Sequence, residues 1–147
     1  MLTLAKQCAV LTIGAAAWTI NASFAANHCQ PIPENYFLKE AAVQAKAVDV
    51  DYRKELAGAL NKDARALQKL LRVTAAMALD GAGAQYHSDV LWNLLQCWGD
   101  KAFSMILSRQ SKKVRMAVIH QLDYATDEIE KYEDTYPLTH AAGTRKR

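Results

Sequence analysis

Residues Gly99 to Ala125 read GDKAFSMILSRQSKKVRMAVIHQLDYA, and their spacing decides the fold. Phe103, Ile106 and Leu107 follow Asp100 at helical spacing, which predicts a short amphipathic helix with Asp100 as its cap. After a polar turn, Ser111 can cap a longer helix whose apolar positions are Val114, Val118, Leu122, Ala125, Ile129 and Tyr132. Intervals of four and three trace one helix face, so the stretch reads as a structural unit and not as a loop site.

The same reading extends upstream. Between Glu34 and Tyr136 the apolar residues keep helical periods and almost never alternate, and Pro31, Pro33 and Pro137 all lie outside that interval. One helix after Pro33 buries Phe37, Leu38, Ala41, Ala42 and Ala45, and a second from about Asp51 buries Tyr52, Leu56, Ala59 and Leu60. Asp63 caps a third, with Leu67, Leu70, Leu71, Thr74, Met77 and Ala78 on one side and Arg65, Lys69 and Arg72 on the other. Gly81 and Gly83 have no preceding strand and no following Gly-Lys-Ser/Thr, so they read as a helix stop and connector, not as a phosphate loop. A fourth helix is expected over about Tyr86 to Trp98. The fold class is therefore all-α.

A short helix, a polar turn and a helix opening Val114-Arg115 resembles one HEAT-like helical repeat unit. Lys54 to Val73, KELAGALNKDARALQKLLRV, is a fainter copy whose turn at Asp63 precedes that at Ser111 by 48 residues. HEAT and armadillo units repeat every ~40–47 residues. The resemblance covers about half of the chain and carries no catalytic residues. It implies helical hairpins stacked as a small array with an exposed partner-binding surface, beside which a compact helical bundle fits the same helix lengths.

The N-terminus has the order of a secretory signal. Lys6 precedes an uncharged apolar run from Cys8 to Ile20, and Ser23-Phe24-Ala25 supplies a small-x-Ala cleavage site. The run is shorter than the roughly 20 residues a spanning helix needs. Cleavage after Ala25 is expected to leave one helical domain over residues 26–137 and a flexible basic tail over 138–147, in an exported protein that is not integral to a membrane. A bacterial periplasm is the expected compartment. There Cys29 and Cys97, the two cysteines of the processed chain, are expected to pair as a disulfide. Closing so long a loop stabilises a fold by about 4 kcal/mol in the chain-entropy account.

Processing leaves 17 basic against 15 acidic residues, and three of the basic ones are the terminal Arg145-Lys146-Arg147. That balance argues against nucleic acid, which selects a strongly basic face. His120 and Asp123 share a helix face, but no nucleophile accompanies them in the sequence. His28, His87, His120 and His140 lack the spacing of a metal motif, and Asp127, Glu128, Glu130, Glu133 and Asp134 form a solvated acidic run without an ion-binding loop. No cofactor is implied. Trp92 lies off the stripe Val90, Leu91, Leu94, Leu95 and Trp98, on the side of Ser88, Asp89 and Gln96, as a candidate binding anchor. Arg109, Lys112, Lys113 and Arg115 form a basic turn suited to an acidic partner. The expected function is a non-enzymatic protein-interaction domain, a binder or immunity-type inhibitor of another protein. A small cell-envelope hydrolase or a ligand-binding helical bundle is the alternative.

Overall fold

Asp63 sets the turn between the second and third helices. Its carboxylate accepts from the amides of Arg65 at 2.8 Å and Ala66 at 3.4 Å, which starts α3 (Ala64–Thr74) directly after α2 (Tyr52–Leu60). Asp51 does the same for α2 through the Lys54 amide at 3.2 Å. With Leu67, Leu70, Leu71 and Val73 buried and Arg65, Lys69 and Arg72 exposed, α3 is as amphipathic as its sequence pattern required. Each such leucine contributes about 1.5–3 kcal/mol by leaving water. The computed structural model describes Cys29 and residues 31–33, 36–76, 81–125 and 132–145, without the side chains of Tyr36, Phe37 and Tyr132. Residues 1–28, which include the expected signal, and Met77, Ala78, Asp127, Glu128, Ile129 and Glu130 lie outside the described residues.

The remaining helices are α1 (Tyr36–Lys46), α4 (Ala82–Trp98), α5 (Asp100–Ser108), α6 (Lys112–Ala125), α7 (Tyr132–Thr135) and α8 (Pro137–Thr144), with no strand among the described residues. They pack as an all-helical array around α4, which touches α1, α2, α5 and α6, while α3 lies against α5 and α6. Cys29 and Cys97 face each other as a disulfide with Cα atoms 4.6 Å apart, stapling the N-terminal segment to the end of α4. Among the described residues no helix is long and apolar enough to cross a membrane.

Three expectations are corrected. First, α4 begins at Ala82 and not near Tyr86, so Gly83 is a helical residue. A Cβ there would stand 3.1 Å from the Ala41 amide nitrogen and 3.1 Å from the Glu40 Cβ, so the glycine lets α1 lie close on α4, and packing outweighs its poor helix propensity. Second, Asp100 occupies the first position of α5 and not its cap. Its carboxylate instead accepts from the amides of Leu138 at 2.8 Å and Thr139 at 2.7 Å, capping α8 from another element. Third, residues 138–145 are not a frayed tail. Pro137 opens α8, whose N-terminal amides Asp100 satisfies, and Thr139 and Gly143 are buried against α5 and α6.

Inside the core one polar chain crosses three helices. The Tyr52 hydroxyl on α2 lies 2.8 Å from His87 Nδ1 on α4, and Thr74 Oγ1 on α3 lies 2.8 Å from His87 Nε2. The Thr74 hydroxyl also bonds the Leu70 carbonyl at 3.4 Å. A carbonyl only accepts, so Thr74 donates to Leu70, His87 Nε2–H donates to Thr74, and Nδ1 accepts from Tyr52. Each hydrogen has one acceptor. A protonated ring would force the Tyr52 hydroxyl to accept and strand its own hydrogen. Burial accordingly lowers His87 to about 3 from 6.5, and the same burial, followed by the nearby Tyr86, raises Tyr52 well above the ordinary phenol range.

Because the folded His87 value is depressed, its contribution to stability is complete above pH 6.5 and is lost as pH falls towards 3. The slope is about 1.4 kcal/mol per pH unit, or roughly 2 kcal/mol between pH 6.5 and 5. We expect urea unfolding to show that loss in the native chain and a smaller one in His87→Gln, which takes up no proton. Equal losses in the two proteins would contradict a buried neutral imidazole.

Candidate functional site

A groove of about 400 Å³ runs between α6 and α8, and it gathers residues that the sequence singled out separately. Lys112, Met116, Ile119, His120 and Asp123 come from one face of α6, at successive helical spacings, and Gly143, Thr144 and Arg145 close it from α8. The two helices run antiparallel, since Gly143 meets Ile119 while the Arg145 carbonyl meets Arg115 one turn earlier. Ile119 is buried in the floor, whereas Met116 stands 56% exposed. His120, Asp123, Lys112 and Arg145 are exposed along the rim.

The wall exists because several distant contacts hold α8 in place. Asp100 caps its start, and the Arg115 guanidinium donates to the Gln110 carbonyl at 3.0 Å and to the Arg145 carbonyl at 3.1 Å. Arg115 is therefore 2% exposed and turned inward, while Arg109, Lys112 and Lys113 of the same basic turn stay on the surface. The Ser111 hydroxyl accepts from the Val114 amide at 3.4 Å and starts α6 as its sequence position indicated. Trp92 is half-buried, and its ring meets Tyr136 edge-on with centroids 5.5 Å apart, just before α8. Burial, and then the Asp100 carboxylate, push the Tyr136 phenol upward. Of the polar side expected for α4, Asp89 and Gln96 are exposed, while Ser88 is buried and bonds both the Ala84 carbonyl and Gln121.

Chemically, the groove offers an apolar floor, the basic side chains Lys112 and Arg145, and an imidazole with a carboxylate three residues on along the same helix. Thr144 supplies a hydroxyl at the rim, and that hydroxyl donates to the His140 carbonyl at 3.1 Å. A second hollow, about 530 Å³ at the elbow of α1 and α2, has Lys46 and Arg53 opposed by Asp49 and Asp51, with the Asp51 carboxylate already spent on capping. His140 lies 3.6 Å from Glu133, so that part of the acidic run faces α8. No group of three or more His, Cys, Asp or Glu able to hold a metal ion occurs among the described residues. Sequence reasoning missed the groove's second wall, because residues 138–145 read as a tail, and missed His87, whose partners lie 35 and 13 residues away. No protein family, curated protein or solved structure matches the chain.

Gly143 is the residue that permits the wall. A Cβ placed on it would lie 1.9 Å from Ile119 Cγ1 and 2.5 Å from Ile119 Cδ1. We expect Gly143→Ala to cost about 1–3 kcal/mol through overpacking, to lower the melting temperature, and to raise amide exchange in α8 before other helices. Ile119→Ala in the same chain should restore part of the loss. A Gly143→Ala protein with native melting and native α8 protection would contradict the close approach.

Proposed function

We propose that this is an exported, non-enzymatic helical domain that captures a partner protein in the α6–α8 groove. The observation that carries the reading is the convergence of an apolar floor, Met116 and Ile119, with the cations Lys112 and Arg145 in one open cleft. Such a cleft suits a partner segment with an apolar side chain next to a carboxylate. Lys113, next to Lys112 in the chain, and Arg109, at the end of α5, are exposed too and add positive charge that speeds encounter with an acidic surface. Trp92 enters through Tyr136, holding the approach to α8. Neutralisation of a toxin, in the manner of an immunity protein, is the specific form we favour for so small an exported chain.

The helix pair α2–α3, whose second member also lies on α5 and α6, supports reading it as one HEAT-like unit, whereas α5 takes α8 and not α6 as its main neighbour. A hydrolase is the second reading, because His120 and Asp123 both line the groove. Its signature is a His120→Ala protein that binds normally and loses a hydrolytic activity.

Capture from an extract of the exported fraction separates these readings. Met116→Asp should weaken retention of the partner about thirtyfold, the effect of losing an anchor of roughly 2 kcal/mol. The pair Lys112→Glu with Lys113→Glu should slow association chiefly and make binding less sensitive to salt. Arg65→Glu, on the exposed side of α3, should change neither. Folded groove variants that bind as well as the native chain would overturn the proposal.

A further inference from the structure

Where α4 ends, the disulfide meets a lysine. Lys62 sits in the α2–α3 turn with φ +65°, its amide donating to the Ala59 carbonyl at 3.1 Å, and Asp63 closes the turn on Gly58 at 3.0 Å. Its ammonium lies 5.4 Å from the centroid of the Trp98 ring, and Trp98 Nε1 donates to the same Ala59 carbonyl at 3.0 Å. The charge is thereby placed against Cys97. Lys62 Nζ donates to the Cys97 carbonyl and stands 3.3 Å from Cys97 Sγ. Cys97 is 4% exposed, whereas Cys29 is half-buried on the segment that precedes α1.

These positions make the two sulfurs unequal. In thiol–disulfide exchange the sulfur that is attacked must be reachable, and the sulfur that leaves does so faster the more its thiolate is stabilised. Cys97 lies in the last turn of α4, where the helix dipole alone disfavours a thiolate, and the Lys62 ammonium supplies the opposite field at contact distance. Access favours attack at Cys29, and charge favours departure of Cys97.

We propose that Cys29 is a site of thiol–disulfide exchange, modified by an external dithiol while Cys97 leaves as a thiolate paired with Lys62. In the first step a thiolate of the dithiol bonds to Cys29 Sγ, and the Cys29–Cys97 electron pair passes to Cys97 Sγ. In the second, the other thiol of the same molecule loses its proton and bonds to the sulfur that attacked. Cys29 leaves and takes up that proton. The dithiol is oxidised to its disulfide by two electrons, and the protein disulfide is reduced by two. Opening the bond releases the N-terminal segment from α4, which makes the staple a control point for the fold.

The test uses the intact native protein and glutathione as the attacking thiol, with an acid quench, alkylation of free thiols and peptide mass spectrometry. Early in the reaction, glutathione is expected on Cys29 and the alkyl group on Cys97, in at least tenfold excess over the reverse. Lys62→Met keeps the stem over Trp98 and removes the charge. It is expected to slow reduction about threefold for each unit by which the lysine lowers the leaving thiol. Lys62→Arg should restore the native rate. A variant that merely loosened the turn would be reduced faster, so slowing distinguishes charge from fold. Should Lys62→Met fail to fold, the position of glutathione in the native chain decides. Glutathione on Cys97, an even split, or a folded Lys62→Met protein reduced as fast as the native one would overturn the proposal.

Discussion

A neutral imidazole in the core fixes the arrangement of the central helices. His87 can satisfy both ring nitrogens only if α2 presents the Tyr52 hydroxyl on one side and α3 presents Thr74 on the other, each at 2.8 Å. Leucines around it supply most of the burial, yet apolar contacts tolerate sliding and hydrogen bonds do not. An orphaned partner in that chain would cost about 1–3 kcal/mol, so the three helices share one permitted register. This is how a core dominated by leucine and alanine acquires a unique packing.

The groove depends on a second set of distant contacts laid over that core. With α4 set, α5 and α6 pack on it, and α8 then finds its cap on Asp100, its close approach at Ile119 and its C-terminal carbonyl bond from Arg115. Two of these groups are charged residues whose charge is spent on main-chain atoms. The basic side chains Lys112 and Arg145 stay exposed at the rim, and the inward turn of Arg115 holds the Arg145 main chain at the groove.

What the sequence made legible was periodic and local. The α3 stripe, the Asp63 cap, the Ser111 cap and the all-α class all follow from residues within one or two turns of each other. Gly83, Asp100, Arg115 and residues 138–145 were misread for one common reason. Each takes its conformation from a partner about 24 to 43 residues away, with the exception of the Arg115 bond to Gln110, and no local pattern announces such a partner. His120 and Asp123 were visible as helix neighbours, but their groove was not, because its far wall was read as tail. His87 looked like one of four unrelated histidines. Only the fold brings Tyr52 and Thr74 to it.

The state of the His87 ring tests this account most directly. Nitrogen-15 chemical shifts of the imidazole, followed from neutral pH to about pH 4, report both its tautomer and its charge. The hydrogen-bond chain requires a neutral ring with the proton on Nε2 across that whole range, in keeping with a value near 3. A ring protonated on Nδ1, or one that becomes imidazolium near pH 6, would contradict it.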